Sequence, residues 1–338
     1  MTAEVIPTHT PELFQKAVRR AAKLLRAGEV VALPTETVYG LAANALNEKA
    51  VAKIFQIKGR PAGNPIIIHV AGNEMAKGCV ENFPALAEKL SKAFWPGPLT
   101  IILPRAEKIP HNVTAGGTTV GVRWPSHPFI QAVIHECDFP LAAPSANLSN
   151  RVSPTNAAHV RAQLAGKISL IVDGGQSQVG IESTVLDLSV SPPRILRPGM
   201  IHAESLAAVI GKIQNSNSKI ENNPEAILRS PGSLKKHYSP KARLLVLSWC
   251  DDDDLQTQIR NSQFTIRNCF VIAHEKIPVG DHFADVSVMP HDAEAFARAF
   301  FAELHRCDEA GADLIVVEAP PELPEWSGIA DRLRRAAA

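Results

Sequence analysis

Four polar clusters in the first 200 residues stand at strand ends or in loops, where binding and catalytic groups concentrate. The first is Pro34-Thr35-Glu36-Thr37-Val38-Tyr39-Gly40-Leu41, directly after the apolar run Val30 to Leu33. The second, Lys58-Gly59-Arg60-Pro61-Ala62-Gly63-Asn64-Pro65, runs into an Ile-rich strand that holds His69. Ala143-Pro144-Ser145-Ala146-Asn147, with Arg151, Ser153 and Pro154 behind it, is the third. The fourth joins Gly180-Ile181-Glu182-Ser183-Thr184 to Leu196-Arg197-Pro198-Gly199. No P-loop, no dinucleotide fingerprint and no zinc-protease motif occurs, so side chains outside a Walker loop must hold ATP if it is bound. Taken singly, each cluster has a plain structural reading: a capped turn, a lysine at a helix C-terminus, a hydrogen-bonded core histidine. Their coincidence changes the odds.

The elements that must position them alternate. Thr10, Pro11 and Gly28 bracket a helix whose apolar stripe runs from Leu13 to Leu25. Asn47 to Lys58 reads as a second helix, capped by Asn47 and closed by Gly59. Strands are expected at Pro65–Val70, Leu99–Leu103, Thr119–Arg123, Leu141–Ala143, Leu170–Asp173, Thr184–Leu188 and Ile195–Arg197, with helices between them. This pattern is an α/β domain around one large twisted sheet. Polar chemistry from Gln214 to Asn223 and the basic, proline-broken stretch Ser230 to Arg243 mark a linker. Beyond it, three apolar strands (Leu244–Leu247, Phe270–Ala273, Leu314–Glu318) alternate with helices, as in a small Rossmann-like parallel sheet. The expected domains are therefore 1–213, a linker or lid 214–242, and 243–338.

The four clusters, in this order, resemble the YrdC-like family, and P-T-E-T-V-Y-G-L and K-G-R-P are the most telling marks. Ser230 to Pro240 and the run Trp326 to Ala337 resemble the linker and the end of the second domain in its two-domain threonylcarbamoyl-AMP synthases. The resemblance implies a YrdC-like catalytic domain followed by a small Rossmann-like domain. It implies condensation of L-threonine, bicarbonate and ATP to threonylcarbamoyl-AMP and pyrophosphate, for a transfer RNA modification. Thr37, His69, Arg123, Ser183 and the Ala143 backbone would form the threonine pocket, Arg123 suiting the carboxylate. Lys58, Arg60, Asn64, Thr119, Ser145, Asn147, Ser153, Arg197 and Tyr238 would hold ATP. Lys58 and Arg60 are the catalytic candidates, because the attacking carbamate needs no strong base and the triphosphate needs positive charge. Mg2+ would accompany ATP, with no protein side chain expected as its ligand. A downstream tRNA threonylcarbamoyltransferase is the implied partner. Tyr238 is read as a lid group, or alternatively as an aromatic anchor for the linker.

The bulk properties agree. Thirty-five Lys and Arg against 34 Asp and Glu give a net charge of +1, which advertises no broad nucleic-acid or membrane surface. Five scattered cysteines form no C-x-x-C pair, which suits reduced thiols in a cytoplasmic protein. The first ten residues lack a signal-peptide pattern and no run approaches a membrane span. The acidic run Asp251 to Asp254 is expected to complement a helix N-terminus rather than a metal. An RNA-binding module using Lys58, Arg60, Arg105, Lys108 and Arg151 as a basic face is the alternative reading.

Overall fold

The computed structural model describes residues 3–214, 236–262, 268–279 and 281–338, which divide into two compact units. The first unit begins with β1 (Glu4–Pro7), α1 (Pro11–Arg26), β2 (Val31–Leu33), β3 (Gly40–Asn44), α2 (Glu48–Lys58) and β4 (Ile68–His69). It continues with α3 (Asn73–Lys77), α4 (Ala85–Phe94), β5 (Leu99–Pro104), β6 (Thr119–Arg123), α5 (Pro128–Cys137) and β7 (Leu141–Ala142). The last elements are α6 (Ala157–Leu164), β8 (Leu170–Asp173), β9 (Thr184–Asp187), β10 (Arg194–Arg197) and α7 (Ala203–Ile210). Among the described residues the strands form one mixed sheet in the order β1-β8-β2-β3-β7-β4-β6-β5-β9-β10.

Local signals set the helix ends. Thr10 Oγ1 accepts the Leu13 N–H at 3.3 Å, and Asn47 Oδ1 accepts the Ala50 N–H at 3.1 Å. Gly59 closes α2 in the left-handed conformation (φ 62°). Two strands escaped the sequence reading. β1 is an edge strand, mostly exposed, paired with β8 some 165 residues away, and β3 begins within the last two residues of the first polar cluster. The stretch Pro34–Tyr39 is thus a hairpin connection between the antiparallel β2 and β3. β4 is shorter than Pro65–Val70, because Pro65 has no N–H and the Ile66 N–H turns aside to Val113 O.

Alternation sorts the strand side chains onto two faces. Val31, Leu33, Leu170 and Val172 join one core cluster under α1 and α5, while Ala32 and Ile171 join the larger core on the opposite face. Both faces are covered there, which explains the near-continuous apolar runs. The other half of the sheet differs. Ile101, Leu103, Val120, Val122, Leu186 and Ile195 all enter the larger core. The reverse face carries Thr100, Gly121 and Arg123, with only the small cluster Ile67, Ile102 and Val185. That half-face is where the polar clusters gather.

The second unit comprises residues 150–152 and those from Leu234 onward. Its strands are β11 (Arg243–Leu247), β12 (Cys269–Ala273), β13 (Asp285–Val288) and β14 (Leu314–Glu318). Helices α8 (Asp252–Asn261), α9 (Ala293–Glu309) and α10 (Ser327–Ala336) complete it. The sheet is all parallel, in the order β11-β14-β12-β13. The fourth strand, β13, was not expected: Asp-Val-Ser-Val at a half-exposed edge lacks the apolar run of a central strand. Asp251 is the N-cap of α8, its Oδ1 accepting the Asp254 N–H at 2.9 Å. Gln214 still pairs with Arg194 of the first unit, while Asp308 of the second accepts the N–H groups of Lys241 and Ala242. Most of the expected lid, 215–235, lies outside the described residues.

Candidate active site

Arg123 ends β6 at its C-terminal tip, registered beside His69 of β4. Gly121, two residues earlier on the same face, leaves room: a Cβ there would meet Thr100, Ile102 and Ile67 side chains at 3.0–3.3 Å. Thr119 shares this face two residues further back. The Arg123 guanidinium is 4% exposed and engages three groups. Nε donates to Gly97 O at 3.2 Å, Nη1 to Thr37 Oγ1 at 2.9 Å, and Nη2 lies 2.6 Å from Glu36 Oε1. The two side-chain partners, Glu36 and Thr37, come from one hairpin connection, where Thr35 Oγ1 bonds Thr37 Oγ1 at 3.0 Å and donates to Val38 O at 2.6 Å. Burial, the largest single influence, would raise the Glu36 carboxyl, but the Arg123 charge and hydrogen bond, with backbone hydrogen bonds at Ser126 and Glu36, together hold it below the usual range.

His69 sits within the same field. Burial, reinforced by Arg123 and opposed by Glu36, pushes it down to about 3, so it is neutral at physiological pH. Its Nδ1 is buried and, among the described residues, has no hydrogen-bond partner. A polar atom so placed is costly unless something bonds it.

The 179–184 segment links this pocket to the second set of cations. Val179 N–H and Gly180 N–H donate to Glu36 O (2.7 Å) and Thr37 O (3.1 Å). Glu182 Oε1 accepts the Ser153 hydroxyl at 2.5 Å. Ser183 Oγ lies 2.8 Å from Thr100 Oγ1 and accepts Arg197 Nη2 at 3.1 Å, while Arg197 Nε donates to Ser183 O at 3.0 Å. Arg197 reaches this face because β10 bulges between Ile195 and Arg197, so that Arg197 pairs with Val185. Without the bulge, strict alternation would place it with Ile195 in the core.

Lys58 and Arg60 flank the other end. Lys58 Nζ donates to Ser145 O (2.6 Å), Asn147 O (2.6 Å) and Asn147 Oδ1 (3.2 Å), and Lys58 O accepts the Ser149 N–H. Burial first, then the Arg60 charge, pushes the Lys58 ammonium well down from its ordinary value, while Glu182 opposes. Arg60 Nε donates to Asn64 O at 3.0 Å, and its Nη2 to Asn64 Oδ1 (2.8 Å) and Pro65 O (2.6 Å). This clamp leaves Asn64 Nδ2 buried with no partner among the described residues. Ala143 N–H donates to Ile67 O, fixing the strand edge that leads into Ser145.

Thr37, Asn64, His69, Arg123, Ala143, Ser145, Asn147, Ser153, Ser183, Arg197, Lys58 and Arg60 therefore converge on one region of the first unit. Tyr238 belongs to the second unit. Its ring lies 5.7 Å from Phe301 and 5.5 Å from the Arg332 guanidinium, and it is 1% exposed, the setting of an anchor. Its φ of 62° is unusual for an aromatic residue. Sequence reading gave no role to Glu36, Glu182 or Thr100. The signal for Glu36 was its place between two threonines in a cluster already singled out. The RNA-face alternative loses two members, because Lys58 and Arg60 are buried against carbonyls rather than displayed.

Two consequences are testable. A Cβ on Gly199 would fall 2.6 Å from Thr184 N and 2.9 Å from Glu182 O, both backbone. Gly199→Ala must displace the 182–184 segment, and we expect a loss of about 1–3 kcal/mol in chemical denaturation, with activity reduced alongside. Unchanged stability would refute that packing. The second concerns pH. Unfolded His69 takes its proton near pH 6.5 while the folded protein refuses it, so the unfolded state binds more protons and stability falls as pH drops below 6.5. Between pH 7 and 5 the loss from this group is about 2 kcal/mol. His127, also lowered by burial, adds in the same direction, and Glu36 enters only near and below the carboxylate range. His69→Asn should flatten the profile measured by urea denaturation; an identical slope in the variant would contradict it.

A mixed α/β sheet with this polar half-face defines the YrdC-like class. Residues 23–199 match the Sua5, YciO and YrdC family model, described as telomere recombination, and residues 201–338 match the model described as threonylcarbamoyl-AMP synthase, C-terminal domain. The chain belongs to the two-domain threonylcarbamoyl-AMP synthase family. It is 41% identical to the threonylcarbamoyl-AMP synthase of Pyrococcus abyssi over 323 residues, covering 94% of this chain and 93% of that one. It is also 41% identical to that of Bacillus subtilis, covering 98% and 94%. The crystal structure of P. abyssi Sua5 complexed with L-threonine superimposes with a TM-score of 0.90 at 38% identity, covering 100% of this chain and 98% of that chain. Among the described residues no helix is long and apolar enough to cross a membrane.

Proposed function

We propose that this chain condenses L-threonine, bicarbonate and ATP to threonylcarbamoyl-AMP, releasing pyrophosphate, and that the polar half-face of the first unit is the site. The carrying observation is the contiguous chain of contacts from Arg123 through Glu36, Thr37 and the 179–184 segment to Ser183 and Arg197, with Lys58 and Arg60 beside Glu182 and Asn64. Arg123, Thr37 and neutral His69 suit an amino acid's carboxylate and hydroxyl; His69 Nδ1 awaits a partner there. Such a hydroxyl-binding pocket rejects valine, which would leave these groups unpaired.

Threonine must lose its ammonium proton before its nitrogen attacks: on carbon dioxide a second N–H proton then passes to water, and on bicarbonate a C–O bond breaks and water leaves. The resulting carbamate oxygen attacks the α-phosphorus, and the bond from that phosphorus to the β-bridging oxygen breaks as pyrophosphate leaves. Charge on the phosphates is met by Arg197, Arg60 and the buried Lys58 in a dry environment, where fixed charges act strongly. Magnesium bound to ATP would supply further neutralisation. The site's carboxylates are engaged, Glu36 by Arg123 and Glu182 by Ser153. Phosphate and water oxygens would then hold the ion, its usual arrangement beside nucleotides. The product feeds a transferase that acts on transfer RNA.

Pyrophosphate release by the purified protein with ATP and magnesium tests the reading. Turnover should require threonine and bicarbonate together and should not be supported by valine. Equal release without threonine would overturn it.

A further inference from the structure

We infer that the second unit holds a site for a borderline divalent transition metal, zinc by preference, formed by His274, His291 and Glu275. One ligand atom from each residue can be chosen so that all lie within 4.8 Å of one another. The site stands at the C-terminal ends of β12 and β13, where parallel α/β sheets place their ligands.

The two imidazoles are already directed at each other. Their Nδ1 atoms are 2.9 Å apart while the ring centroids are 5.1 Å apart and the planes differ by only 28°. The nitrogens therefore lie between the rings. The other nitrogen of His274, Nε2, is 3.3 Å from Ala319 O, which can only accept. That contact puts the His274 proton on Nε2 and leaves a lone pair on Nδ1, the arrangement that prepares a histidine for metal binding. His291 then carries the proton between the rings. On metal binding the His291 proton would pass to its Nε2, and the exposed His291 ring would turn so that its Nδ1 lone pair faces the ion beside that of His274.

The loop that bears two of the three ligands is fixed from beneath. Glu318, a buried carboxylate at the end of β14, accepts the backbone N–H groups of His274 (2.8 Å), Glu275 (2.9 Å) and Lys276 (3.1 Å). It is thereby an orienting group rather than a ligand. The His274 ring is held between Trp326, at 5.2 Å, and the edge of Phe296, at 5.7 Å. Glu275 and His291 are exposed, so the site opens to solvent and keeps a position for water. Two imidazoles and a carboxylate suit zinc; magnesium, which prefers oxygen ligands, is disfavoured.

The test is calorimetric titration of the full chain with Zn2+, and Co2+ absorption as a spectroscopic stand-in, both without nucleotide. One site per chain is expected, lost in His291→Ala and weakened in Glu275→Gln, with no comparable heat from Mg2+. His291 is exposed, so its variant should keep the fold, checked by circular dichroism. No zinc binding by the parent chain, or equal binding by His291→Ala, would overturn the inference.

Discussion

Arg123→Lys is expected to raise the Michaelis constant for threonine by about a hundredfold, a loss of about 2.7 kcal/mol, while that for ATP changes little. Lysine keeps the charge but loses the planar fork. In the parent, one guanidinium satisfies Gly97 O, Thr37 Oγ1 and the Glu36 carboxylate at once, and an ammonium cannot hold all three and a substrate carboxylate. Arg123→Ala goes further, because Glu36 is left as an unpaired buried anion, which typically costs about 3–5 kcal/mol of stability. A double variant, Arg123→Ala with Glu36→Gln, should recover part of that stability and none of the threonine affinity. Steady-state kinetics with each substrate varied, together with denaturation, separates the two effects. An Arg123→Lys enzyme with unaltered threonine dependence would remove Arg123 from the substrate pocket.

The second large effect is expected at Lys58. Methionine approximates its length and removes the three donated hydrogen bonds, leaving Ser145 O, Asn147 O and Asn147 Oδ1 short of a buried donor. Loss of the donor at a buried acceptor costs up to about 1–3 kcal/mol, and the 145–149 loop should loosen. Pyrophosphate release should fall by at least about a hundredfold, since the charge offset at the phosphates is also lost. Activity measured at low temperature, where the variant remains folded, distinguishes catalysis from stability. Lys58→Met with full turnover would show that the lysine serves the loop alone.

Lys58 illustrates what the sequence could and could not convey. A basic residue closing a helix before Gly59 was legible, as was its membership of a phosphate-suited cluster. Its three-carbonyl clamp was not, because its acceptors lie 87 and 89 residues further along the chain. Arg197 is similar. Its presence at the end of a strand was readable, but the bulge that turns it toward Ser183 is a property of β9 and β10 pairing. Edge strands β1 and β13 were missed because they bury little and depend on distant partners.

Helix caps, glycine stops, apolar periodicity and the four polar clusters are all written in residues within a few positions of one another, and short-range sterics and hydrogen bonding suffice to interpret them. Which face each cluster occupies, and that Glu36 partners Arg123 while Glu182 partners Ser153, was decided by the tertiary structure. Sheet registry joins segments separated by tens to more than a hundred residues, and burial then requires the polar and charged groups brought together to satisfy one another.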